Sequence, residues 1–431
     1  MTAAIWRKKI RRIVTALLAV SLSLSLAGCG AKSNEIEIEQ NQGSRKISVS
    51  WWGNDPRHQY TLKGLEIFQD ENPDIYVSHS YGVWNGYERR YQIMMLSHQE
   101  TDVMQVNYAW LYRYSPNGDN YYDLKELSDS IDLSNFTEED LETGTVNGHL
   151  IALPIAYNTP TLFYNKDIYD SYGLELPKTW EDLENAAKVM SKDGIYPVGM
   201  ISKHLFLLMN ARFEQLTGRT LFAEDGSYQG SADDLKLILE QYKQLIDEKV
   251  FQPVNEFDSS TFQKGTTAGI ACWASEATRN CQALVDDGAN VELGDYLRTE
   301  GKSGLGWYMK PATMYTISKN TKDPEAAGKL LNFLVNDPEM AVLQGTEKGV
   351  PVSKSALQAL QKEGMLDGLD YKASQMIHDS QDELKMMIPI MEDTDIQEAF
   401  TDCSNKYIYG KEDLDTAAQE MDESFRTITA G

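Results

Sequence analysis

The sequence predicts an α/β fold divided into two lobes, and three observations carry that expectation. Segments with the two-residue alternation of strands take turns with segments of helical periodicity, in the order β-α-β-α-β. The alternation resumes in the second half, where several helix starts carry their own capping residues. The body is also too long for one small core: removing an N-terminal leader of 28 residues leaves 403 of the 431.

Lys46 to Trp52 sets Ile47, Val49 and Trp51 against polar neighbours, a strand signal. His58 to Glu71 places Leu62, Leu65 and Phe68 on one helical stripe, stopped by Asn72-Pro73. Asp74 to Tyr81 alternates Ile75, Val77 and Tyr81 as a second strand. Tyr87 to His98 is again helical, with Tyr87, Tyr91, Met94 and Met95 on one face. Asp102 to Asn107, holding Val103, Met104 and Val106, reads as a short buried strand. This succession calls for a parallel, doubly wound sheet. Further along, Thr179-Trp180-Glu181-Asp182 looks like a capping box, and Ser231-Ala232-Asp233-Asp234 opens a longer helix. Asp323-Pro324-Glu325 and Asp337-Pro338-Glu339 each set an N-cap acid before a proline at the first helical position.

The N-terminus carries an address. Arg7, Lys8, Lys9, Arg11 and Arg12 precede a mostly apolar run from Ile13 to Leu26, too short to span a bilayer. Leu26-Ala27-Gly28-Cys29 follows, and a cysteine at the cut position distinguishes a lipoprotein signal from an ordinary secretory one. Residues 1–28 are therefore expected to be a lipoprotein signal peptide, with lipidation at Cys29. Residues 29–44 are expected to be a lipidated flexible tether, polar and acidic, with Glu35, Glu37 and Glu39. One acyl group anchors weakly, whereas a multiply acylated, palmitoylated cysteine would hold firmly.

The net charge is −25, and becomes −30 once the five cations of the leader depart. So acidic a body argues against nucleic acid and against lying on anionic lipid through its own surface; the membrane contact should be the lipid alone. Cys272, Cys281 and Cys403 cannot all pair. A Cys272–Cys281 bridge is conceivable outside the cell, but buried free thiols are the favoured reading. The six histidines are scattered without an H-x-x-x-H pair, so a metal site is unsupported.

Leu153-Pro154-Ile155-Ala156-Tyr157-Asn158, Leu162-Phe163-Tyr164-Asn165-Lys166-Asp167, Tyr172-Gly173-Leu174 and Pro177-Lys178-Thr179-Trp180-Glu181-Asp182-Leu183 run in one order. That order resembles the central signature of family 1 extracellular solute-binding proteins, the sugar receptors of ABC importers. Phe163-Tyr164 stands where two tyrosines are commonest. Ser50-Trp51-Trp52-Gly53, the Asp102-to-Val106 strand, and the Asp323-to-Leu334 helix followed by Gly349-Val350-Pro351-Val352 also look like this family. The resemblance implies a two-lobed periplasmic-binding-protein-like fold (type II) with a ligand cleft at a hinge. It places lobe 1 at 45–154 plus 309–350 and lobe 2 at 155–308 plus 351–431. Crossings would lie near Pro154, Lys310-Pro311 and Pro351. Hinge bending would close the lobes around ligand, and ABC importer permease subunits would be the partners. A monomer is expected, with no catalytic residues and no cofactor.

Sugars present hydroxyls at the edge and C–H patches on the face, so their receptors need aromatic platforms and fixed polar groups. Trp52, Trp84 and Trp110 follow the ends of the first three strands and should meet on one rim. Alternation sends Trp51 inward with Ile47 and Val49, leaving Trp52 for ligand. Trp273 and Trp307 are the platforms expected from the second lobe, and Trp180 reads as structural. Asp55, Arg57, Asn107, Tyr157, Asn158 and Glu276 are the polar candidates. Arg57, at a helix start, would suit the carboxylate of a uronic-acid sugar.

The leading expectation is a lipid-anchored receptor that passes an oligosaccharide to a permease. A lipid-anchored carbohydrate-active enzyme stays open as an alternative, although G-x-S-x-G, H-E-x-x-H and the P-loop are absent. So does the same fold carrying a peptide, polyamine or metal complex. A soluble acidic receptor must stay near its permease. A cell without an outer membrane needs such a tether most, which points to the extracellular face of a Gram-positive cell membrane.

Overall fold

The computed structural model describes residues 45–430. The expected leader, the lipidated Cys29 and the tether lie outside the described residues. In chain order the strands used below are β1 (Arg45–Trp52), β2 (Ile75–Gly82), β3 (Val103–Val106), β4 (Ala152–Asn158) and β5 (Pro160–Asn165), then β6 (Gly199–Met200), β7 (Gly269–Trp273), β8 (Val291–Leu293), β9 (Tyr308–Ile317) and β10 (Lys385–Met386).

One sheet has the order β10-β9-β3-β1-β2, with β4 added on β9; a second has the order β8-β5-β7-β6. In the first sheet β1 runs parallel to β2 from Arg45↔Ile75 to Trp52↔Gly82, and parallel to β3 on its other side. Helices α1 (Asp55–Glu71), α2 (Tyr87–Ser97) and α3 (Tyr108–Tyr114) follow these three strands. Here the expected doubly wound pattern forms. Elsewhere it does not: β9 meets both β3 and β4 antiparallel, and β5 meets both β7 and β8 antiparallel. The reason lies in connectivity. β4 is the strand by which the chain leaves for the second sheet and β9 the one by which it returns, so β9 runs against the grain of β3 and β4, which short β-α-β crossovers cannot do.

Local signals set the helix starts. The Thr179 hydroxyl accepts from the Asp182 N–H and the Asp182 carboxylate accepts from the Thr179 N–H, a capping box opening α4 (Trp180–Met190). No side-chain bond caps α5 (Ser202–Thr217), whereas Ser231 caps α6 (Ala232–Asp247). Asp323 and Asp337 cap α7 (Pro324–Asn336) and α8 (Pro338–Gln344), each with proline inside the first turn.

The buried apolar residues divide by sheet. Ile47, Val49, Trp51, Val103 and Tyr315 pack with α1 and α7 on one side of the first sheet; Trp52, Met104, Val106 and Met314 pack with α2 and α3 on the other. A separate core, from Leu162 to Phe425, surrounds the second sheet. The chain leaves the first sheet at Thr159, between β4 and β5, rather than at Pro154, because β4 stays paired with β9 as far as Asn158↔Lys310. The second corrected boundary is the one at 350. Helix α9 (Lys354–Lys362) packs on α7 and α8, and Ser353 Oγ donates to Asn336 Oδ1 at 2.7 Å, so the first body extends past Pro351. Helices α10 (Thr394–Ile408) and α11 (Leu414–Thr429) belong to the second. Among the described residues no helix is long and apolar enough to cross a membrane.

Candidate functional site

The carboxyl ends of β1, β2 and β3 bring three tryptophans together. Trp84 stacks on Trp110 at 5.7 Å and 5°, and Trp52 lies 5.2 Å from Trp84 and 5.3 Å from Trp110. Tyr87 and Tyr91 close the cluster from α2. Alternation along β1 separates the neighbours: Trp51 enters the opposite core beside Tyr81, at 5.0 Å. The three rings shield one another, so Trp52 and Trp110 are buried while Trp84 remains 48 % exposed. Each was expected to present an open face, and only Trp84 has one; the other two pack against it.

Next to this cluster lies a charged one that sequence reasoning missed. Asn107 caps α3, its Oδ1 accepting from the Ala109 N–H, which leaves Nδ2 free to donate to Glu392 Oε2 at 2.9 Å. Glu392 Oε2 also lies 2.6 Å from the Lys310 ammonium, and Oε1 lies 2.7 Å from that of Lys203. The Lys310 and Glu392 side chains are 5 % and 2 % exposed; Lys203, in the first turn of α5, is 24 % exposed. Burial works to raise the Glu392 carboxyl, but the two ammonium groups outweigh it and hold it well below the usual carboxylate range. Burial likewise presses the Lys310 ammonium down, against the pull of Glu392. Both ammonium nitrogens face the Trp273 ring, at 4.9 Å for Lys310 and 5.4 Å for Lys203. His204 meets the same ring edge-on at 5.3 Å, buried and with neither ring nitrogen bonded.

The remaining candidates are placed as follows. Trp307 is corrected: it is 1 % exposed, packs on Tyr296, and donates from Nε1 to the Leu297 carbonyl at 3.1 Å, which makes it core. Asp55 is exposed in the first turn of α1, where a carboxylate suits the helix dipole. Arg57 turns away from the tryptophans and donates to the Glu347 carbonyl. Near it Lys348 is buried, bonded to the Tyr315 hydroxyl at 2.9 Å, and pushed well below its usual range by burial and by Arg57. The Tyr157 hydroxyl donates to Asp140 Oδ1 at 2.9 Å. The Asn158 amide exchanges two bonds with Ser275, tying β4 to the end of β7. Glu276 pairs with Arg279 at 2.7 Å. Of the expected set, then, Trp52, Trp84 and Trp110 form one cluster; Asn107, Asn158, Trp273 and Glu276 lie about Lys310 and Glu392; and Asp55, Arg57, Tyr157 and Trp307 lie elsewhere.

Cys272, Cys281 and Cys403 are free and buried. Burial raises all three thiols, that of Cys281 to about 12, which keeps them protonated and inert. Among the described residues no group of three or more His, Cys, Asp or Glu side chains could hold a metal ion.

The chain as a whole is similar to known proteins. A putative binding protein of Brucella abortus is 23 % identical over 303 residues, covering 67 % of this chain and 71 % of that one. The galactooligosaccharide-binding protein of Bacillus subtilis is 27 % identical over 251 residues, covering 54 % of this chain and 56 % of that one. The structure of a periplasmic oligogalacturonide-binding protein from Yersinia enterocolitica, in complex with saturated digalacturonic acid, superposes with a TM-score of 0.82 and 28 % identity, covering 89 % of this chain and 98 % of that one. Residues 64–365, more than two thirds of the chain, match the bacterial extracellular solute-binding proteins. The chain belongs to that family: it is a solute-binding protein of ABC importers, not an enzyme.

Proposed function

We propose that the solute is an oligosaccharide, captured between the two bodies by hinge bending and passed to ABC permease subunits. The single observation that carries this reading is the exposed face of Trp84, packed against the buried Trp52 and Trp110. A rigid aromatic face beside fixed hydrogen-bond donors matches the alternating C–H and hydroxyl surfaces of a sugar. The saccharide-binding relatives in Bacillus subtilis and Yersinia enterocolitica support the same class. The lobes are 45–158 with 309 to about 362, and 160–308 with the remaining C-terminal residues; the hinge is β4 with β9. The receptor works as a monomer held on the outer face of a Gram-positive cell membrane by acylated Cys29. What supports the anchor is the basic, then apolar, leader ending in Leu26-Ala27-Gly28-Cys29.

A thermal-shift screen of the mature protein against neutral and uronic oligosaccharides, polyamines and peptides tests the reading. A true ligand at 100 times Kd should stabilise by about 2.7 kcal/mol. A rise in Tm with polyamines or peptides, and with no saccharide, would discard it.

A further inference from the structure

We propose that the charged end of the cleft is a carboxylate subsite, so that the saccharide taken is an acidic, uronic-acid-containing one. The proposal rests on the oligosaccharide reading above and narrows it.

The first argument is an inventory of donors. The ammonium groups of Lys203 and Lys310 and the Asn107 amide converge on one carboxylate, Glu392. Three protons on each ammonium cannot all be met by two carboxylate oxygens that also serve an amide. Arg279 nearby is matched by Glu276, and farther out Glu88 and Asp393 share Arg113. Two cations against one anion leave an excess of one positive charge at a largely dry site, in a chain whose net charge is −25.

The second argument is independent and concerns α5. Lys203 and His204 lie in the first turn of this 16-residue helix, and its N-cap residue, Ile201, has no side-chain acceptor for the free amides. A helix start already carries partial positive charge, and acids are what normally settle there. Here the first turn brings an ammonium group instead. It also brings an imidazole that is 1 % exposed, lacks any hydrogen-bond partner and is set against Trp273. Uncapped amides, a surplus ammonium proton and an unbonded ring nitrogen all require acceptor oxygens. Lys203 is the most open of the charged groups, so the acceptor arrives from its side. A neutral sugar would meet these donors only with hydroxyls. A carboxylate meets them with charge-assisted bonds, about twice as strong. One surplus positive charge matches a carboxylate better than a phosphate monoester, which carries nearer two negative charges at neutral pH.

The test is titration calorimetry of the mature protein with digalacturonic and trigalacturonic acid, galactobiose, galactotriose and galactose 6-phosphate, repeated with Lys203→Met. The acidic sugars should bind about 10- to 100-fold more tightly than the neutral ones, the scale of one or two charge-assisted hydrogen bonds. Lys203→Met should remove most of that difference by weakening the acidic sugars at least tenfold more than the neutral ones. Neutral sugars binding as tightly as the acids would overturn the carboxylate subsite while keeping the oligosaccharide reading. Binding of galactose 6-phosphate in preference to the uronates would overturn it in favour of a phosphate. If no saccharide binds at all, the broader reading fails and takes this one with it. The wild-type comparison decides between these outcomes even where Lys203→Met does not fold.

Discussion

Replacing His204 by phenylalanine should flatten the acid side of the protein's stability profile. The imidazole is 1 % exposed, and burial lowers its pKa from 6.5 to about 3, with the neighbouring Lys203 ammonium adding to the effect and Glu392 opposing it. Lys310 and Arg279 also face the ring and disfavour its protonation. The folded value lies below the unfolded one, so on acidification the unfolded chain takes up the proton first. The stability held by the neutral ring is complete above about pH 6.5 and is lost as pH falls toward 3. At pH 5 the unfolded histidine is about 1.5 units above the solution pH, and at 1.36 kcal/mol per unit its protonation removes about 2 kcal/mol. That figure requires only that the folded ring stay neutral at pH 5.

The assay is urea unfolding of ligand-free wild type and His204→Phe at pH 7.5 and pH 5.0. Surface carboxylates act on both proteins and cancel in the comparison. Wild type should lose about 2 kcal/mol more than the variant between the two pH values, read as a larger fall in midpoint at constant slope. Equal losses would show that the imidazole is protonated, or solvated, in the folded protein, and the burial argument would fail.

Two tryptophan variants should separate support from contact. Trp307→Ala, which empties a site 1 % exposed, should cost about 3–5 kcal/mol in urea unfolding, whereas Trp84→Ala, at 48 % exposure, should cost under about 1 kcal/mol and weaken saccharide binding at least tenfold by calorimetry. Similar losses of stability in the two would place Trp84 in the core. Gly349 has φ +96°, and a Cβ there would come within 2.8 Å of the Ala156 methyl on β4. Gly349→Ala should therefore destabilise by roughly 1–3 kcal/mol; an unchanged urea midpoint would contradict this.

Whatever depended on neighbours along the chain was legible in the sequence. The Thr179/Asp182 box, the Asp323 and Asp337 caps and the parting of Trp51 from Trp52 are all decided within a few residues. The tryptophan cluster was also within reach, because each member directly follows a strand of one β-α-β-α-β run. The charged cluster was not. Lys310 finds Glu392 82 residues away, and Asn107 finds it at 285. In a chain with 24 % charged residues nothing marks those two lysines and that glutamate out. The one local hint was Lys203-His204 at the head of an apolar helix. Trp307 misled because it lies just before β9 and lacks an alternation pattern of its own; only packing on Tyr296 shows which way it faces.

Glu392 also sets the scale of any hinge motion. Its turn, Pro389–Glu392, belongs to the second body through Met391, yet its carboxylate holds Asn107 of the first, and the adjoining Asp393 lies 3.6 Å from Arg113 of the first. Bending that parts the bodies along this edge has to release both contacts. A hydrogen bond to a charged group is worth about 1.5–3 kcal/mol. An ion pair as open as Arg113–Asp393, with side chains 45 % and 18 % exposed, adds at most about 1 kcal/mol. The sum, about 2–4 kcal/mol, is a difference that modest differential binding of a solute can offset. A solute touching Trp84 on one side and Lys203 on the other contributes to closure from both bodies at once. One that reaches only Trp84 binds without closing anything. On the proposed reading, the platform that follows β2 and the ammonium on α5 belong to different bodies, so a solute long enough to touch both is the one that draws them together.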